Sequence, residues 1–101
     1  MSTQLANFIN NEWDFPDTDT LEVRNPATAD LLGVIPLTGP RLVDQAVDAA
    51  SVALKTWSQT PVTDRIQYLF RLKALLEEHF EELATIITEE CGKTLSESRG
   101  E

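Results

Sequence analysis

Apolar and polar positions divide the chain into two halves, with strand and turn chemistry over residues 5–38 and helical periodicity over 40–101. Leu5 to Ile9 and Glu12 to Phe15 flank Asn10-Asn11, a pair that tolerates positive φ and suits a two-residue primed turn, so a β-hairpin is expected. Pro16-Asp17-Thr18-Asp19 ends it in a polar loop. Leu21-Glu22-Val23 alternates like a half-buried strand, Asn25-Pro26-Ala27-Thr28 is a turn in which Asn25 can cap its own backbone, and Leu31 to Ile35 returns. A second hairpin follows from that order.

Beyond Gly39-Pro40 the spacing changes to threes and fours. Val43, Ala46, Val47, Ala50, Ala53, Leu54 and Trp57 form one helix face, with Asp44 and Asp48 near its start and Lys55 near its end, as the helix dipole favours. Thr60-Pro61 reads as an N-cap with proline at the first helical position, followed by the stripe Val62, Ile66, Leu69, Phe70, Leu72 and Leu76. A third stripe, Phe80, Leu83, Ala84, Ile86, Ile87 and Cys91, stops at Gly92. Period alone leaves open whether these two helices are joined or broken near Glu78-His79. Ser96 to Glu101 reads as the opening of a fourth helix. The fold class expected is α/β (α+β as an isolated piece), two N-terminal hairpins followed by three helices and the start of a fourth.

Composition limits the partners. Eight Lys+Arg against seventeen Asp+Glu leave a net charge of −9, which repels phosphate backbones and anionic lipid heads, so nucleic acid and membrane surfaces are not expected partners. A hydrophobic share of 42% is that of a globular chain and argues against disorder despite the charge. No apolar run approaches the roughly 18 residues of a membrane span, and the N-terminus lacks the pattern of a signal peptide. A soluble, cytoplasmic setting is the expectation.

Candidate chemistry is thin. Glu77, Glu78, Glu81, Glu82, Glu89 and Glu90 alternate with apolar positions and lack the Asp-x-Asp and glycine spacing of a calcium loop, so they read as a solvated helix face. Cys91, the one cysteine, sits at a helix C-terminus among acidic residues, which opposes thiolate formation, so a structural thiol is the better reading. His79, the one histidine, reads as a surface or junction residue. Gly92-Lys93-Thr94 ends like a phosphate-binding loop, but Thr88-Glu89-Glu90-Cys91 before it lacks the required glycine and strand; a helix stop with a dipole-complementing lysine explains it better. Phe8, Trp13, Phe15, Trp57, Tyr68, Phe70 and Phe80 are expected mostly in the core. No catalytic, cofactor-binding or metal-binding residue is assigned.

Several segments together resemble the N-terminal region of the aldehyde dehydrogenase superfamily: Phe8-Ile9-Asn10-Asn11-Glu12-Trp13, Asn25-Pro26-Ala27-Thr28, Val43-Asp44-Gln45-Ala46-Val47 with Trp57, and Glu89-Glu90-Cys91-Gly92-Lys93-Thr94. Pro61 to Ile66, Leu75 to His79 and Leu95 to Glu101 look like its methylmalonate-semialdehyde dehydrogenase branch. The resemblance implies that residues 1–101 are a partial domain, the first part of a fold that binds NAD and attacks an aldehyde with a cysteine. In that branch the thioester passes to coenzyme A with loss of CO₂. The family's catalytic cysteine and NAD-binding turn have no counterpart before Glu101, and Cys91 stands where relatives commonly have Asn. Ala29 stands where relatives often have Gly. The expectation is therefore an N-terminal fragment inactive alone, whose enzyme acts on a small aldehyde, with self-association or docking on the rest of the fold as its partnerships. The alternatives are an acidic helical module that docks on a dehydrogenase subunit, or a truncated product without autonomous function.

Overall fold

A computed structural model describes residues 3–101 as nine elements in two compact units, one made of the chain up to Val23 with Leu31–Gln59, the other of Arg24–Asp30 with Thr60–Glu101. In the first unit, β2 (Asn7–Ile9) and β3 (Glu12–Asp14) pair antiparallel with Phe8 opposite Trp13. Asn10 and Asn11 join them at φ of 51° and 65°, the two positive values a primed turn needs.

This first hairpin is shorter than the apolar pattern predicts. Leu5 belongs instead to a second sheet: its N–H donates to the Val34 carbonyl at 2.9 Å, continuing the parallel pairing of β1 (Thr3–Gln4) with β5 (Leu31–Pro36). At the other end Phe15 precedes Pro16, which has no N–H to donate. The three-stranded order is β1-β5-β4, with β4 spanning Thr20–Arg24. Asn25 N–H donates to Asp30 O and Leu37 N–H to Asp19 O, so β4 and β5 form the second expected hairpin. Thr3 lies opposite Gly33, which is buried in the central strand.

The turn of the second hairpin behaves as its residues dictate. Asn25 Oδ1 accepts from Ala27 N–H at 2.9 Å, and Ala29 N–H donates to Asn25 O at 2.8 Å. Ala29 does this at φ 65°, a conformation that costs an L-residue with a Cβ about 1–2 kcal/mol. Ala29→Gly keeps every backbone bond of the turn and removes that strain, while adding freedom to the unfolded chain. The net expectation is a gain of roughly 0.5–1 kcal/mol, read as a higher urea midpoint; an unchanged or lower midpoint would refute the strain.

Helix α1 spans Pro40–Trp57 after Gly39, with Pro40 in its first turn and Lys55 in its last. Its first turn holds no acidic residue: Asp44 and Asp48 lie one and two turns in, too far along to serve the dipole as expected. In the second unit, α2 is Val62–Glu78, one residue later than predicted. Pro61, at ψ 145°, is extended and takes the capping position expected of Thr60, its carbonyl accepting from Asp64 and Arg65. His79, at φ −98° and ψ 16°, separates α2 from α3 (Phe80–Cys91), which settles the junction in favour of a break. Gly92, at φ 72°, stops α3 as predicted. The last element, α4, is a single turn at Leu95–Ser98.

Little of this is core. Ala84 is the one apolar residue fully buried among those described. The aromatic residues expected inside are open to water, Trp13 at 68% and Phe70 at 58%. Helical spacing puts apolar residues on one face; it does not supply the layer that covers them.

Candidate functional site

The residues with the most suggestive chemistry gather around the end of α3. Cys91 is its last residue, exposed and free. Gly92 N–H donates to Thr88 O at 3.0 Å, closing the helix. Thr94 then opens α4 with a reciprocal box: its Oγ1 accepts from Glu97 N–H at 3.3 Å, and Glu97 Oε2 accepts from Thr94 N–H at 3.0 Å and from Thr94 Oγ1 at 2.9 Å. The sequence signal for this was Thr94-Leu95-Ser96-Glu97, a capping-box spacing. Lys93 forms an ion pair with Glu101 and lies beyond α3 rather than in its last turn. With the Thr94 amide and hydroxyl both spent on Glu97, Gly92-Lys93-Thr94 is a corner between helices and holds no phosphate cradle.

Arg99 grips the same corner from the other side. Its Nε and Nη2 donate to Glu81 Oε1 and Oε2 at 3.0 and 2.9 Å, a two-pronged pair tying α3 to the residue after α4. Behind it, Ser98 is 3% exposed and shares a 2.9 Å hydrogen bond with Thr88. The hydrogen bond from Arg99 holds the Glu81 carboxyl below its ordinary value near 4.5, and the bonds from Thr94 do the same for Glu97. Both folded values lie below the unfolded ones. Their contribution to stability is therefore complete above the ordinary carboxylate range and lost as pH falls through the lowered values. In Arg99→Gln the Glu81 titration midpoint, followed by NMR of its side-chain carbon, should rise toward 4.5; a midpoint indifferent to Arg99 would refute the pair.

The acidic run stays on the exposed surface, as expected. Glu77 pairs with Lys73, Glu81 with Arg99, and Glu82 Oε2 lies 2.8 Å from His79 Nδ1. His79 is the junction residue of the helix pair. Among the described residues no three His, Cys, Asp or Glu side chains come together as a metal would need, and no helix is long and apolar enough to cross a membrane.

The first unit offers apolar surface and one orphaned carboxylate. Phe8 and Trp13 stack tilted at 4.8 Å between centroids, and Phe8 and Ile9 border a shallow groove with Ala46, Ala50 and Ala53 of α1. Asp14 Oδ2 is buried with no hydrogen-bond partner, beside a cleft that also includes Asp17, Thr18 and Arg41. Neither feature fits a dinucleotide. A pyrophosphate needs a glycine turn from a strand into a free helix N-terminus. Here Gly33 is inside a strand, and the α1 N-terminus begins with a proline, which lacks an N–H.

In the second unit, Arg65 Nε is buried with no acceptor, within the broad apolar arc of α2. Sequence reasoning missed it because arginine in a helix normally reads as surface.

A profile of the aldehyde dehydrogenase family matches residues 13–101. Malonate-semialdehyde dehydrogenase 1 of Geobacillus kaustophilus is 43% identical over 101 residues, which is 99% of this chain and 21% of that protein. The crystal structure of methylmalonate-semialdehyde dehydrogenase from Oceanimonas doudoroffii superposes with a TM-score of 0.91 at 36% identity, covering 99% of this chain and 20% of that one. A Sinorhizobium meliloti structure complexed with NAD, assigned to methylmalonate-semialdehyde dehydrogenase, gives 0.90 at 27% identity, over 99% of this chain and 21% of that one. The chain thus spans about a fifth of the length of the relatives it matches.

Proposed function

This chain belongs to the aldehyde dehydrogenase family, and on that premise we propose that it is the N-terminal part of an NAD-dependent semialdehyde dehydrogenase, inactive by itself. Residues 1–101 make one partial domain of the NAD-binding region in a soluble, cytoplasmic enzyme. The reaction of the whole is oxidation and decarboxylation of methylmalonate semialdehyde to an acyl-CoA, with NAD taking the hydride and coenzyme A the acyl group. The observation that carries this reading is the 43% identity to a malonate-semialdehyde dehydrogenase across 99% of the chain.

The geometry supports the division of labour. On this reading the NAD site and the nucleophile belong to the rest of the enzyme, and no residue of either is assigned to this part. Its contribution is packing: amphipathic helices whose apolar faces are half open to water. Co-production with the Oceanimonas doudoroffii enzyme lacking its matching first fifth tests it. NADH formation from methylmalonate semialdehyde, NAD and coenzyme A should appear with both pieces and with neither alone. NAD reduction by this chain alone would refute the reading. A soluble complex without activity would favour the acidic docking module instead.

A further inference from the structure

We draw no further inference here: the strongest candidate, the cleft of the first unit beside the buried Oδ2 of Asp14, has only Asp17 as a second carboxylate and shares its wall with Arg41, so among the described residues nothing in it points to a cation or to any other occupant.

Discussion

Gly33→Ala is expected to open the three-stranded sheet of the first unit. A Cβ at this position would meet the Thr3 carbonyl oxygen at 2.8 Å, and the obstacle is backbone. Thr3 cannot rotate away as a side chain would, because Gln4 pairs with Val34 and Leu5 N–H with Val34 O in the same ladder. Relief has to come from moving β1 off β5. Overpacking at close-packed sites costs typically about 1–3 kcal/mol, and a fixed carbonyl puts this site at the upper end. Gly39→Ala is the control, since nothing lies within 4 Å of its Cβ and its φ of −77° is ordinary. The urea midpoint should fall for the first variant and stay for the second, with the Leu5 amide losing hydrogen-exchange protection only in the first. Equal midpoints would mean that β1 does not hold against β5.

The same strand shows where sequence reading stopped. Asn10-Asn11, Asn25-Pro26 and Gly92 announce themselves because each encodes a backbone state that its own side chain, or lack of one, permits. The pairing of Thr3 with Gly33 has no local signature. Leu5 fits the alternation of the first hairpin as well as it fits the second sheet, and its backbone partner is decided nearly thirty residues away. Helix faces were legible for the opposite reason: period follows from one turn. What covers a face is not periodic information, which is why Trp13, Phe15 and Phe70 read as core and stand exposed.

The candidate site divides along the same line. Thr94 and Glu97 carry a readable spacing that the more conspicuous Gly92-Lys93-Thr94 obscured. The grip of Arg99 on Glu81 joins residues eighteen apart and depends on the angle between α3 and α4. Residue chemistry by itself pointed to no reaction. The functional reading comes from family membership, to which the fold adds helices whose apolar faces are half open to water.

Gly92→Ala is the second large loss, and here two costs coincide. At φ 72° an alanine pays about 1–2 kcal/mol for the left-handed backbone. Its Cβ would also stand 3.0 Å from Pro26 Cγ. That ring has little room to yield, because Asn25 Oδ1 and Ala27 N–H fix the turn around it. The strain is passed on: Gly92 N–H closes α3 through Thr88, and Thr88 holds Ser98 of α4. A total of about 2–3 kcal/mol is expected, seen as a lower urea midpoint for the second unit. Gly92→Asn separates the contributions, since Asn tolerates the dihedral but still brings the Cβ. It should recover roughly 1 kcal/mol, and Pro26→Ala in the Gly92→Ala background should recover part of the rest. If Asn proves as costly as Ala, contact with Pro26 rather than the dihedral governs the corner. If neither costs anything, α3 does not end where Gly92 places it, and the Thr94 box and the Arg99 grip lose the geometry that both depend on.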